Sequence, residues 1–88
     1  MKHIRRSTQF KKDYKRAKKA GKNLAELQKV IYQLAVSKPL DPSYSDHALL
    51  GNYRGCRECH LEPDWLLIYK TTETELALVR TGSHSELF

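Results

Sequence analysis

The stretch GCRECHLEPDWLLIYK, residues 55–70, decides the fold. Trp65, Leu66, Leu67, Ile68 and Tyr69 form an unbroken apolar run of strand length, with no polar face to turn to water. Such a run predicts the central strand of a small sheet, buried on two sides. Upstream, Cys56 to Leu61 alternates, with Cys56, Glu58 and His60 on one face and Arg57, Cys59 and Leu61 on the other. Pro63 cannot continue a central ladder, so Glu62-Pro63-Asp64 reads as a tight connection. The two segments together predict a hairpin with His60, Asp64 and Trp65 gathered at its tip.

The chain has 88 residues, which predicts one domain with a single core and little surface to spare for a second site. Sixteen Lys and Arg against ten Asp and Glu give a formal net charge of +6, which favours a polyanionic partner such as nucleic acid or an acidic protein over a merely solubilising surface. No apolar run approaches the ~20 residues that span a bilayer, and MKHIRRSTQF lacks the apolar centre of a signal peptide. A cytoplasmic protein with no membrane partner is the expectation, and its two cysteines, Cys56 and Cys59, are then expected as reduced thiols.

Cys56, Cys59 and His60 spell C-x-x-C-H, the haem c attachment pattern. Three features count against it: no export signal, a strand alternation that points the two thiols to opposite faces, and Met1 as the only methionine. A thioredoxin-like pair fails because nothing helical follows the motif. Both cysteines are expected to fill strand positions, and no cofactor is expected.

Toward the N-terminus, Lys2 to Arg6 reads as a basic edge strand anchored by Ile4. Thr8 is the expected cap of a helix that places Phe10, Tyr14 and Ala17 on one face and stops at Gly21. Its other face carries Lys11, Lys12, Lys15, Arg16, Lys18 and Lys19, with Asp13 the only acid among them. Such density suits phosphate contact, so Lys11, Lys12 and Lys15 are expected to touch nucleic acid. Asn23 and Glu26 resemble a capping box for a second helix with the stripe Leu24, Leu27, Val30, Ile31 and Leu34. Pro39 to Asp46 reads as a loop leading to His47 and the apolar group Ala48, Leu49 and Leu50.

Toward the C-terminus, Thr71 to Thr74 predicts a turn and Glu75 to Gly82 a strand with Leu76 and Leu78 facing the core. Strict alternation would put Arg80 on that apolar face, so it is expected at the sheet's edge or behind a bulge. The last residues, Ser83 to Phe88, allow at most one helical turn. The architecture is α+β, with two N-terminal helices packed on one face of a small, mainly antiparallel sheet whose opposite face is left open.

Three of the four histidines, with Asp64 and Arg80, fall at strand ends or in loops beside the hairpin, where separate segments converge. Cleaving RNA without a metal requires a base for the 2′-OH, an acid for the leaving 5′-oxygen and cations for the crowded phosphorane. Histidine suits both proton transfers, and arginine's planar fork suits the phosphate.

The linked motifs Asp46-His47-x-Leu49, Arg57-x-x-His60-x-x-Pro63-Asp64-Trp65 and Arg80-Thr-Gly-Ser-His84-Ser-Glu-Leu-Phe88 resemble the YafQ-type branch of the RelE/ParE superfamily of bacterial toxins. The resemblance covers the chain from the first helix to the last residue, and its specific part is the C-terminal half. It implies a RelE-like fold and a ribosome-dependent endonuclease that cuts messenger RNA and so inhibits translation. It further implies an active site drawn from His47, His60, Asp64, Trp65, Arg80, His84 and Phe88. His84 is expected as a proton-transfer partner, as the acid in preference to the base, with His60 or His47 as the other. Asp64 orients a histidine or acts as base, Arg80 clamps the scissile phosphate, and Phe88 stacks on a base. Trp65 either stacks likewise or is buried. The implied partners are the ribosome, its messenger RNA and a cognate DinJ-like antitoxin.

Three other readings remain. A zinc site using His47, His60, His84, Asp64 and a thiol lacks the paired spacing such sites show, and no metal is expected. A gyrase-inhibiting toxin of the ParE type has no need for several titratable groups around one hairpin. A bare RNA-binding module predicts binding without cleavage.

Overall fold

The computed structural model describes all 88 residues. A five-stranded sheet carries the strands β1 (His3–Arg6), β2 (His47–Ala48), β3 (Arg57–Glu62), β4 (Trp65–Thr71) and β5 (Glu75–Gly82). Their spatial order is β1-β5-β4-β3-β2, so the apolar run sits in the middle as β4. All pairs are antiparallel except β1 on β5, which is parallel.

The central strand is buried on both sides because each face has its own cover. Trp65, Leu67 and Tyr69 point to helices α1 (Thr8–Lys19) and α2 (Leu24–Ala35), where they meet Phe10, Ala17, Leu27, Val30 and Ile31. Leu66 and Ile68 point the other way and pack under Leu87 of a third, one-turn helix α3 (His84–Leu87). Leu49, Tyr53, Cys56 and Val79 close the rim of this second cluster. The expectation of an open opposite face is thus corrected. Two adjacent large apolar side chains cannot be left in water, and the chain's own last turn covers them.

Local capping explains where the helices begin. Ser7, not Thr8, caps α1, its hydroxyl accepting from the Phe10 amide at 2.8 Å while donating to the Val79 carbonyl at 2.7 Å. A hydroxyl tied to β5 sets the helix start and docks it in one step. Asn23 caps α2 through the Glu26 amide, but the Glu26 carboxylate bonds Tyr44 instead of closing the box. Gly21 follows α1 at φ +74°, the left-handed conformation that ends a helix at least cost in a residue without Cβ.

The two sheet irregularities both serve the site. The β3–β4 register shifts between His60 and Glu62, at the hairpin tip. In β5, Ile68 pairs with Arg80 and Tyr69 with Leu78, so Val79 is an extra residue and the expected bulge is present. Beyond that bulge β5 has outrun β1, and Arg80 lies against α1.

Candidate active site

His60 sits on β3 on the face away from α1 and α2, as its alternation with Cys59 and Leu61 requires. His47 lies on the neighbouring β2, where it pairs in register with Glu58. Its Nδ1 donates to the Ser45 carbonyl at 2.8 Å, which fixes the tautomer when the ring is neutral and leaves Nε2 with the lone pair. Asp46, beside it, accepts from Arg57 Nε at 2.7 Å and from the Tyr69 hydroxyl, and these bonds anchor the strand start.

Helix α3 brings the third histidine. His84 is its first residue, and Asp64 in the β3–β4 turn accepts from both the His84 amide at 2.9 Å and its Nδ1 at 2.8 Å. The two bonds lower the Asp64 carboxyl below the usual range, the backbone bond contributing most. With Nδ1 engaged, Nε2 is the nitrogen that His84 has left for a substrate. Ser83 and Glu86 form a complete capping box that sets the turn, and a Cβ at Gly82 beneath it would crowd Glu86 Oε1 at 3.1 Å and Leu87 Cδ2 at 3.3 Å.

The rings form a row. Centroids lie 6.2 Å apart for His47 and His60, 5.6 Å for His60 and His84, and 6.4 Å for His84 and Phe88. Phe88 is 61% exposed and meets Tyr53 edge-on at 5.4 Å, while the Tyr53 hydroxyl donates to the Leu87 carbonyl. An exposed aromatic at the end of a histidine row is placed for a base to stack on it.

Glu58 was not legible as a site residue, although it shares a strand face with His60. It is 4% exposed, with one oxygen 3.5 Å from His60 Nε2 and the other 3.9 Å from His47 Nε2. His60 Nδ1 is buried without a hydrogen-bond partner, so Glu58 is the group that answers this ring. Ligand atoms of Glu58, His60 and His84 lie within 4.8 Å of one another, a grouping that linear spacing did not reveal.

Arg80 is not free. Its Nε and Nη2 donate to Asp13 at 2.9 and 3.1 Å, and this pairing, more than the opposing burial, raises its pKa. Asp13, also unforeseen as a site residue, is 2% exposed. Burial pushes its carboxyl up, but bonds from Arg80, Gln9 and the Thr81 amide outweigh that and leave it lowered. Trp65 takes the buried alternative at 1% exposure, so its ring belongs to the core and offers no stacking face. Lys22 Nζ lies 6.0 Å from its ring centroid. Lys11, Lys12 and Lys15 are exposed on α1, outside the histidine row. Of the cysteines, Cys59 is in the helix-side core, where burial pushes its thiol up to about 12, and Cys56 lies on the opposite face. No helix is long and apolar enough to cross a membrane.

Residues 2–88 match the family model for YafQ, described as a bacterial toxin of type II toxin-antitoxin systems. The curated mRNA interferase toxin YafQ of Escherichia coli K12 is 44% identical over 87 residues, covering 97% of this chain and 94% of that protein. A metal-bound toxin from Helicobacter pylori is 50% identical, with a TM-score of 0.93 and full coverage of both chains. The toxin in the E. coli DinJ-YafQ toxin-antitoxin complex is 42% identical with a TM-score of 0.91, covering 99% of this chain and 97% of that one.

Proposed function

The chain belongs to the YafQ family of bacterial type II toxins, and from that premise we propose that it is a ribosome-dependent mRNA endonuclease, acting in the cytoplasm and restrained by a DinJ-like antitoxin. The observation that carries the reading is the row of three imidazoles with a carboxylate at each end of the proton path, Glu58 beside His47 and His60, and Asp64 on His84.

In this mechanism a 2′-oxygen attacks the adjacent phosphorus. His47 is suited to take its proton, because the Ser45 carbonyl holds the tautomer with a free Nε2, and His60 stands next to it as the alternative base. His84 protonates the leaving 5′-oxygen from Nε2, while Asp64 stabilises the imidazolium that must be present beforehand. Arg80 offers the scissile phosphate the part of its guanidinium that Asp13 does not occupy. Phe88 stacks on a base beside the cut, and Lys11, Lys12 and Lys15 meet ribosomal RNA phosphates. Attack by the 2′-oxygen requires products with a 2′,3′-cyclic or 3′-phosphate and a 5′-hydroxyl. A messenger with hydrogen in place of the 2′-hydroxyl at the scissile position must resist cleavage. Efficient cutting of that substrate would refute the mechanism, and gyrase inhibition with intact RNA would reassign the protein to the gyrase-directed type.

The convergence of Glu58, His60 and His84 favours a second, compatible reading. Two imidazoles and a carboxylate suit a borderline transition metal, and the Helicobacter pylori relative is described as metal-bound. A bound ion would withdraw His60 and His84 from proton transfer, so Zn²⁺ or Cu²⁺ is expected to inhibit. Calorimetric titration of the wild type and of His60→Ala tests this: equal heats in both would exclude the site.

A further inference from the structure

Asp13 is the only acid in α1, and it is the only charged residue of that helix that is buried. Five donors reach it. Gln9 Nε2 at 3.2 Å, Arg16 Nη2 at 3.2 Å and Arg80 Nη2 at 3.1 Å bond Oδ1, while Arg80 Nε at 2.9 Å and the Thr81 amide at 3.2 Å bond Oδ2. A carboxylate held in this way cannot shift without breaking several bonds at once, so it is a fixed point for whatever is attached to it.

Two parts of the site are attached. The first is Arg80, held along its Nε–Nη2 edge, which leaves Nη1 to face elsewhere in a set orientation. The second is reached through Arg16, whose Nη2 is on Asp13 and whose Nη1 donates to Glu86 Oε2 at 2.6 Å. Glu86 is also the carboxylate that closes the capping box of α3, its Oε1 accepting from the Ser83 amide at 2.8 Å. One buried residue therefore touches the arginine on β5 and, one side chain removed, the helix that starts with His84.

We propose that Asp13 is a positioning residue for cleavage, fixing the Arg80 guanidinium directly and the His84 helix through Arg16 and Glu86. The proposal rests on the reading that Arg80 holds the scissile phosphate and His84 transfers a proton. Asp13 itself touches no substrate. Its effect is exerted through geometry, and catalytic geometry is unforgiving: a misplacement of about 1 Å costs on the order of 10²-fold in rate.

The test is single-turnover cleavage at saturating ribosome by Asp13→Asn, Arg80→Ala and the double variant, with ribosome affinity measured in parallel. Asparagine preserves the shape but removes the charge and turns a donor toward the arginines. Asp13→Asn is expected to slow cleavage by about 10- to 100-fold with ribosome affinity unchanged. The double variant should fall well short of the product of the two single losses, exceeding the loss of Arg80→Ala only by the share carried through Arg16 and Glu86, because residues acting as one unit do not add. A wild-type rate in Asp13→Asn, or losses that multiply in the double variant, would overturn the proposal. A wild-type rate in Arg80→Ala would instead remove the phosphate-clamp reading on which it rests. Arg16→Lys provides a variant that leaves the core intact, since the Arg16 side chain is 49% exposed. Lysine keeps the charge but cannot span from Asp13 to Glu86, and about three- to tenfold slower cleavage with unchanged melting is expected. Wild-type cleavage by Arg16→Lys would overturn the link to α3.

Discussion

Replacing Leu87 by alanine should separate activity from global stability, because Leu87 is the apolar anchor of α3 and belongs to the small cluster with Leu66 and Ile68, apart from the larger helix-side core. Leu87 is 6% exposed and packs on Leu66 and Ile68. Removing the equivalent of three buried carbons forfeits about 2 kcal/mol at ~0.8 kcal/mol each. That is roughly a 30-fold shift in whether the helix is docked. The remaining ties are the two Asp64 bonds to the His84 amide and ring, the Tyr53 bond to the Leu87 carbonyl and the exposed Arg16–Glu86 pair, and a pair of that last kind contributes only about 0.2–1 kcal/mol. Since α3 is four residues long and takes no part in the sheet ladder, it can detach without breaking a strand pairing. Single-turnover cleavage should fall in step with the docked population, by at most about 30-fold, while the thermal midpoint falls by only a few degrees. Leu67→Ala supplies the contrast. Leu67 is wholly buried on the helix side, and losing it should cost about 2–5 kcal/mol of global stability, roughly 10 °C or more. If Leu87→Ala melts as early as Leu67→Ala yet cleaves at the wild-type rate when folded, α3 is part of the core and its docking does not govern activity.

His84→Gln should lose about 10²- to 10⁴-fold in single-turnover cleavage with a nearly unchanged melting midpoint, since the side chain is half exposed; near-normal cleavage would remove it as the acid. Changing Lys11, Lys12 and Lys15 to alanine should weaken ribosome binding and flatten its salt dependence, whereas unchanged binding at every salt concentration would make α1 a solvated face. Acid should act through Asp13. Its folded pKa is lowered below the unfolded value, so its contribution is fully present above the unfolded pKa near 3.9 and is lost as pH falls through the folded one. Asp13→Asn should accordingly melt less steeply with falling pH than wild type below about pH 4, and parallel melting curves would show that the carboxylate is not coupled to folding.

The parts of the fold legible in the sequence were those with a local periodic cause. The apolar run Trp65 to Tyr69 required cover on two sides, and Leu27, Val30 and Ile31 followed helical spacing. The bulge near Arg80 was readable because an arginine on an apolar face has few alternatives. What escaped depends on contacts between distant segments. Leu87 covering Leu66, and β1 joining β5 in parallel, leave no signal in their own neighbourhoods. The site divides in the same way. His47, His60, Asp64 and His84 belong to linked motifs and do converge. Glu58 carried a faint sign, sharing a strand face with His60. Asp13 carried a clearer one, the sole acid among six cations of α1, but its partner stands 67 residues away. Trp65 shows the limit of motif reading, for a residue inside the pattern is held by the core.

The central claim, cleavage of translated messenger by this histidine row, is tested most directly by primer extension on a messenger incubated with the protein, with and without ribosomes. The account predicts discrete cuts only when ribosomes are translating that messenger, each leaving a 5′-hydroxyl, and their disappearance with His84→Gln. Equal cutting of naked RNA, or an intact messenger on ribosomes that bind the protein, would contradict it.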